Sequence, residues 1–283
     1  MEVTEPHPAI DIPVVRIDAL DNRFLWELRE LWQHRELLYF LVWREIKVRY
    51  KQTAIGVAWA VLQPFMMMVI FAVIFGRFAR IPSDGFPYPL FAYTALIPWI
   101  YFSLAVTRSA YSLVGDASLL QKVYFPRLIL PLAAVIVPLI DFFCSFLVLL
   151  GMLFWYGITP SFAWLSLPLF LVMAFMTAFA VGLWLAPLNV RYRDVNVAVP
   201  VLIQLWMYAS PIVYPTSMVP EKWRLLYSLN PMVGVINGFR WALLGDAVVN
   251  WWPILVSVLT IALVSLVGII IFRRAEPYLA DII

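Results

Sequence analysis

The segment from Arg44 to Arg77 reads REIKVRYKQTAIGVAWAVLQPFMMMVIFAVIFGR and decides the fold class. Between Lys51 and Arg77 it contains 25 residues without a charge. About 20 apolar residues suffice for a helix to cross the hydrocarbon core of a membrane, which is roughly 30 Å thick. Four basic residues stand at the start of the segment, and such residues collect on the cytoplasmic side of membrane helices. We therefore predict a spanning helix that enters the membrane from the cytoplasm.

Composition extends this interpretation to the whole chain. Of the 283 residues, 64% are hydrophobic and 13% are charged, whereas soluble domains carry about 25% charged residues. The net charge of +3 is distributed over helix ends, which is not the pattern of a nucleic-acid-binding surface. Cys144 is the single cysteine, so no disulfide can form within the chain. These features predict an all-α, multi-span membrane protein.

The order of polar and apolar segments predicts six transmembrane helices after an amphipathic N-terminal segment. Residues 1–22 form a Pro-containing cytoplasmic tail with too little apolar content to pack alone. Residues 23–52 form an amphipathic helix in the membrane interface, or alternatively a cytoplasmic helix packed on the protein. The first span follows Lys51, and the others are predicted between 84 and 108, at 129–156, at 164–188, within 195–220 and between 246 and 273, all inside a domain at 53–274.

The distribution of basic residues predicts the orientation. Of the 20 Lys and Arg residues, 15 lie in the N-terminal region, the connections 108–127 and 189–194, and the C-terminus. This asymmetry places both termini in the cytoplasm, including the C-terminal residues 275–283. The segment 221–246 then lies outside, where a short re-entrant pair of half-helices would be tolerated if it is buried in protein.

The chain has no visible catalytic or energy-supplying chemistry. It has no Gly-Lys dipeptide and so no phosphate-binding loop for ATP. It also has no metal-ligand cluster and no acid–base constellation. Asp141 is the one acid inside a span. It could belong to a proton relay or be a structural acid bonded to a neighbouring helix, and the lack of a nearby base counts against the relay. Arg108 and Arg240 lie near span ends, where snorkelling explains them.

Aromatic residues make up 16% of the chain. Many belong to helix ends, where they anchor the membrane interface. Trp59, Phe65, Trp206 and Tyr208 lie well inside the first and fifth spans. Their ring faces could stack on the C–H faces of sugars and line a channel for a sugar polymer, although packing within the protein explains each ring equally well.

Six sequence blocks resemble the permease subunits of type-2 ABC exporters, within the polysaccharide-export branch (O-antigen, capsule and teichoic acid). The blocks are REIKVRYKQTAIGVAWAVLQP at 44–64, LIPWIYFS at 96–103, SLLQKVYFPRLILPLAAV at 118–135, LNVRYRDV at 188–195, LWMYASPIVYP at 205–215 and LNPMVGVINGFRWALLG at 229–245. They occur in the family's order over about 200 residues. Two positions depart from the common pattern: Asp116, where relatives often have Asn, and Asn237, where they often have an acid.

The resemblance implies a homodimer that works with two copies of a separate ABC ATPase subunit, which would hold ATP and Mg²⁺. This chain would need no cofactor or metal of its own. The substrate implied is a lipid-linked polysaccharide moved from the cytoplasm across the plasma (inner) membrane. The implied coupling residues are Asp116, Gln121, Lys122, Arg127, Arg191, Arg193 and Asp194. The implied external gate residues are Trp223, Asn230, Pro231 and Arg240.

Three other functions remain open from the residues. The same fold could export a drug or a small lipid. A membrane-embedded sugar or lipid transferase, or a proton-coupled carrier, would each depend on Asp141. The missing metal and acid–base constellations count against the transferase.

Overall fold

The structure is a computed structural model that describes residues 30–51, 56, 58–245 and 251–282. The predicted tail 1–22, and residues 23–29 of the predicted interface helix, lie outside the described residues. Within the described part the regular elements are helices and no strand is present. The helices are α1 Arg35–Lys51, α2 Ala58–Phe71, α3 Tyr88–Gly115, α4 Ala117–Lys122, α5 Ile129–Ile136, α6 Leu139–Trp155, α7 Leu167–Arg191, α8 Val195–Tyr208, α9 Glu221–Ser228, α10 Pro231–Leu244 and α11 Trp251–Ile282.

Five helical segments of the described chain are long and apolar enough to cross a membrane. They are Ala58–Phe78, Tyr88–Gly115, Ile129–Trp155, Phe162–Arg191 and Trp251–Pro277. The first of them continues α2 through a π-helix, and the fourth begins with a 3₁₀ turn before α7. Five of the predicted spans therefore have a matching helix, judged by length and composition.

Two predicted spans differ in their bounds. The second was expected to end at Arg108, but α3 continues to Gly115. The helix can carry Arg108 because Glu45 of α1 lies within 3.6 Å of its guanidinium. The fifth was expected within 195–220, but α8 has only 14 residues. At 1.5 Å per residue it is about 21 Å long, short of the membrane core.

The third span is two helices in sequence. α5 ends at Ile136 and α6 begins at Leu139, with a turn at Val137 and Pro138 between them. Proline has no backbone N–H to donate, so a helical hydrogen bond is missing at Pro138 although Val137 and Pro138 both keep helical dihedral angles. The turn lies three residues before Asp141 and so helps to place that side chain.

α3 forms the centre of the bundle and packs against α2, α5, α6, α7, α8 and α10. It is buried along most of its length, with Tyr93, Tyr101 and Phe102 fully enclosed. Its approach to α7 depends on Gly182, where a Cβ atom would lie 2.0 Å from Ser109 Oγ. Small residues allow membrane helices to pack this closely.

α1 packs against α5 through a separate apolar cluster that includes Leu41, Leu113 and Ile129. Leu41 is buried, whereas Tyr39 and Phe40, on the other side of the helix, are exposed. α1 therefore contacts the protein along one side and presents aromatic rings along another. The contact with α5 fits the alternative of a helix packed on the protein, and the location of α1 in the membrane interface stays a prediction.

Candidate functional site

Asp141 is paired with α1. Its carboxylate lies 2.6 Å from the Arg49 guanidinium and accepts a hydrogen bond from the Tyr50 hydroxyl. The side chain of Asp141 is only 5% exposed and that of Arg49 is 27% exposed. The expectation of no nearby base was wrong, because Arg49 contacts Asp141 in space although it precedes it by more than 90 positions in sequence. We call this group of Arg49, Tyr50 and Asp141 the α1–α6 clamp.

A second set of ion pairs joins α1 to Arg108 of α3 and to Asp116, which precedes α4. Arg44 lies 2.6 Å from Asp116 and 3.2 Å from Glu45, and Glu45 lies 3.6 Å from Arg108. Arg108 therefore meets an acid of α1, and snorkelling is not needed to account for its charge. With the clamp, these contacts tie α1 to the spans at several points along its length.

The surroundings of α1 keep the Tyr50 hydroxyl and the Arg44 guanidinium in the protonated forms that donate hydrogen bonds. Burial raises the pKa of the Tyr50 hydroxyl well above its ordinary value, and the hydrogen bond to Asp141 raises it further. Burial acts to lower the pKa of Arg44, but the bonds to Asp116 and Glu45 outweigh it and the net shift is upward. At neutral pH, Tyr50 is therefore a neutral donor and Arg44 a cation.

The first predicted coupling segment follows α3. Asp116 precedes α4, and Gln121 and Lys122 lie exposed in its last turn. Farther along, Arg127 donates a hydrogen bond to the backbone carbonyl of Glu276 in α11. The segment is thus tied to α1 at its start and to α11 at its end.

The second predicted coupling segment lies between α7 and α8. Arg191, Arg193 and Asp194 are exposed there. The buried Asn189 positions the turn by donating to the Ala110 carbonyl of α3 at 2.9 Å and to the Asn196 side chain of α8 at 2.9 Å. Because this contact joins the last turns of α3 and α7, the two coupling segments emerge from the same end of the bundle.

The predicted channel aromatics do not form one group. Trp59, Phe65 and Tyr208 are exposed on α2 and α8. Trp206 is partly buried, packs edge-on against Phe102 with ring centroids 5.0 Å apart, and donates from Nε1 to Asn230 at 2.9 Å. Trp206 therefore belongs with the predicted gate residues.

Asn230 is the centre of the predicted gate. Its side-chain oxygen caps α10 by accepting from the backbone N–H of Met232 at 3.0 Å. Its amide nitrogen donates to the Ala209 carbonyl and to the Ser210 hydroxyl, both at 3.0 Å. With the bond from Trp206, this one side chain holds the start of α10 against the end of α8. Trp206, Trp223, Asn230 and Pro231 together line an apolar cavity of about 630 Å³ between α8, α9 and α11.

Arg240 does not snorkel. It is buried, and its guanidinium carbon lies 3.4 Å from the centre of the Phe91 ring. It also donates to the Ile212 carbonyl at 2.9 Å. Because the segment after α8 is irregular, its free carbonyls need donors, and Arg240 supplies one while Tyr88 supplies another to Val213 at 2.7 Å.

Sequence reasoning missed the partners of the charged residues. Arg44, Glu45, Arg49 and Tyr50 were interpreted only as a basic approach to the first span, and Asn189 was not singled out. The sequence did contain an indication that these charges meet common partners, because Glu45 and Arg49 are one helical turn apart and so share a face of α1. In the part of the chain that the structure describes, no three His, Cys, Asp or Glu side chains are arranged to hold a metal ion.

Comparison with known proteins assigns the family. Residues 36–244 match the model of the ABC-2 type transporter family. Over 249 residues the chain is 30% identical to an O-antigen export system permease protein of Klebsiella pneumoniae. The aligned region covers 88% of this chain and 95% of the relative. A protein of the same name from Myxococcus xanthus is 33% identical over 215 residues, 75% of this chain and 82% of the relative. A polysialic acid transport protein of Escherichia coli is 24% identical over 209 residues, 71% of this chain and 78% of the relative. With its apolar spans and this match, the chain is a multi-pass membrane protein of the ABC-2 type transporter family.

Proposed function

We propose that this chain is the permease subunit of an ATP-driven exporter that moves lipid-linked polysaccharide from the cytoplasm across the inner membrane. The observation that carries the proposal is the similarity to permeases named for O-antigen export along 88% of the chain. Because the sequence has no phosphate-binding loop, the energy would come from a partner subunit that binds ATP and Mg²⁺.

The finer architecture that we propose has six crossings with both termini in the cytoplasm. The fifth crossing would combine α8 with the irregular segment up to Pro220. Irregular backbone at membrane depth is tolerated only where protein or a water-filled cavity satisfies it. The donors Arg240 and Tyr88 satisfy carbonyls of this segment, which supports a crossing that is not helical throughout.

We assign coupling to the two segments at the shared end of α3 and α7. The first includes Asp116, Gln121, Lys122 and Arg127, and the second includes Arg191, Arg193 and Asp194. Their exposed side chains would contact the ATPase. The Arg44–Asp116 pair would carry movement of α4 to α1, and the α1–α6 clamp would pass it to the third span. The support is the unbroken path of contacts from α4 to α6.

α9 and α10 would form the external gate. They are short helices joined by a turn at Leu229 and Asn230. The bonds of Asn230 to Trp206 and Ser210 would hold the gate against α8. Trp223 lies on the exposed side of α9, next to the cavity behind the gate.

The working assembly would be a homodimer with two ATPase subunits. In support, α2 and α8 each expose several large apolar side chains, among them Met66, Ile70 and Leu205. A two-fold axis beside these helices would enclose a path between the subunits. The exposed rings of Trp59, Phe65 and Tyr208 would face that path, where they could stack on sugar rings.

The test is reconstitution. The chain is co-expressed with an ATP-binding-cassette subunit encoded beside it, and the purified complex is placed in vesicles with lipid-linked polysaccharide extracted from the source cells. We expect ATP-dependent transfer of glycan, accompanied by faster ATP hydrolysis. The control complex carries an ATPase subunit whose phosphate-loop lysine is replaced by alanine. Stimulation by amphipathic drugs or phospholipids but not by glycan would instead identify an exporter of drugs or small lipids. Transport by this chain alone would refute the proposal.

A further inference from the structure

A cavity of about 330 Å³ lies between α2, α3 and α8, and polar side chains line part of it. Four polar residues face it: Gln63 from α2, Ser103 and Thr107 from α3, and Gln204 from α8. Apolar side chains, among them Trp99 and Met67, line the rest of the cavity. We call it the amide cavity. Its volume is at the lower end of the roughly 300–1,000 Å³ typical of small-molecule sites.

The two amides have no partner within the described residues. Neither the Gln63 nor the Gln204 side chain makes a hydrogen bond there, and both are exposed on the surface of the subunit. Ser103 likewise makes no side-chain hydrogen bond, whereas the Thr107 hydroxyl donates to the Ser103 carbonyl of its own helix. The cavity therefore presents donors and acceptors that nothing in this part of the subunit uses.

The cavity lies deep along the helices. Gln204 is nine residues from the start of α8 at Val195, which places it about 13 Å along the helix axis. Ser103 is 12 residues before the end of α3 at Gly115, or about 18 Å. Both residues therefore lie several turns inside their helices.

An unbonded amide inside a membrane segment is costly if it faces lipid. Moving such a group from water to hydrocarbon without a partner is strongly unfavourable. Polar residues within membrane segments therefore face a cavity or a functional pathway by default. Two unbonded amides from different helices, opening on the same cavity, indicate that polar groups of a ligand meet them there.

The chemistry of the lining selects the ligand class. None of the residues that line the cavity is charged, so nothing there matches a phosphate or an ammonium group. A primary amide donates through its nitrogen and accepts through its oxygen, and a hydroxyl group also does both. The buried indole of Trp99 adds a flat apolar wall. Hydroxyl-rich neutral rings with apolar faces match this combination.

We propose that the amide cavity is a saccharide-contacting station of the export path, where Gln63 and Gln204 exchange hydrogen bonds with hydroxyl groups of the passing sugar chain. This inference rests on the proposed function, because it assigns a contact site for the polymer. Neutral hydrogen bonds are individually weak, so each sugar unit is bound transiently and then released to the next position. The aromatic rings of α2 and α8 would add non-directional contact around the two amides.

The experiment uses the reconstituted complex of this chain with its ATPase subunit. Gln63→Leu, Gln204→Leu and the double variant remove the amides with little change in side-chain volume. Thr177→Val is the matched control, because it removes a buried hydroxyl that bonds only the Met173 carbonyl of its own helix, α7. The probe is lipid-linked glycan from the source cells, divided into short and long chains. Rates of export and the masses of the assembled complexes are measured.

We expect each single variant to slow export of long chains about two- to tenfold, the change that follows from losing one neutral hydrogen bond. Short chains should be slowed less because fewer sugar units pass the station, and Thr177→Val should match the wild type. Wild-type rates in the double variant, or equal slowing of short and long chains, would overturn the inference. Loss of the assembled complex would also overturn it, since the amides would then join the two copies. If the wild-type complex moves no glycan at all, the proposed function itself fails.

Discussion

The α1–α6 clamp gives a prediction with a defined magnitude. Arg49→Met keeps most of the length of the side chain but removes the cation that lies 2.6 Å from Asp141. Removing one partner of a buried ion pair costs about 3–5 kcal/mol, because the other charge stays buried. Arg49 is 27% exposed and Tyr50 still donates to Asp141. We therefore expect the substitution to weaken the contact between α1 and α6 by about 2 kcal/mol. The population in which α1 has separated from α6 should then rise about thirtyfold.

Cys144 reports this separation. It is the single cysteine of the chain and lies one helical turn after Asp141, close enough to Tyr50 for the two groups to interact electrostatically. Its thiol is partly buried while α1 is in place, so the rate of its alkylation by N-ethylmaleimide should rise in Arg49→Met, by up to about thirtyfold. A faster reaction therefore reports exposure of the thiol.

A second variant tests whether the unpaired charge of Asp141 causes the separation. In Arg49→Met/Asp141→Leu both charges are gone, and an apolar pair in place of a buried ion pair is often neutral or stabilising. Its alkylation rate should return to within a few-fold of the wild type. An unchanged or reduced rate in folded Arg49→Met, or a double variant as reactive as the single one, would refute the view that the clamp holds α1 in place.

Three further predictions concern coupling, the gate and the packing of α3. Arg193→Ala and Asp194→Ala should leave membrane insertion intact but lower the glycan exported per ATP hydrolysed; unchanged export in both would remove this turn from the coupling path. Asn230→Ala removes a helix cap, worth about 1 kcal/mol, together with the hydrogen bond from Trp206. Trypsin should then cleave at the exposed Lys222 about tenfold faster. An unchanged cleavage rate would contradict the contact between the gate and α8. Gly182→Val places methyl groups where Ser109 lies 2.0–2.5 Å from a Cβ atom, which should cost about 1–3 kcal/mol or more; an unchanged melting temperature would show that α3 and α7 can separate freely.

How far the sequence predicts the fold differs between elements. The first, third, fourth and last spans are long apolar runs, interrupted only by Asp141 in the third. Each matches a helical segment, which in the third span consists of α5 and α6. The second span was predicted too short because a charge was taken as its end, and Arg108 is in fact neutralised by Glu45 of another helix. The fifth was predicted from apolar content, which cannot distinguish a spanning helix from a shorter helix followed by buried irregular backbone.

Some residues of the candidate site could be identified from the sequence and others could not. Asn230 was named as a gate residue because the family resemblance implies it, and an Asn-Pro pair before an apolar run is also a local signal for the start of a helix. The partner of Asp141 could not, because 91 positions separate it from Tyr50. The amide cavity was also missed, since its polar side chains come from three helices and each is unremarkable within its own segment.

The sequence alone determined that this protein crosses the membrane repeatedly, where most of its helices lie and that it lacks a phosphate-binding loop. Those properties depend on composition and on runs of neighbouring residues, and lipid imposes helix formation on any apolar run of sufficient length. Only the tertiary structure decided which charges are paired, which rings line a cavity and which amides remain unbonded. A helix that is apolar all round carries no signal of the face it turns inward, so those choices are made by packing.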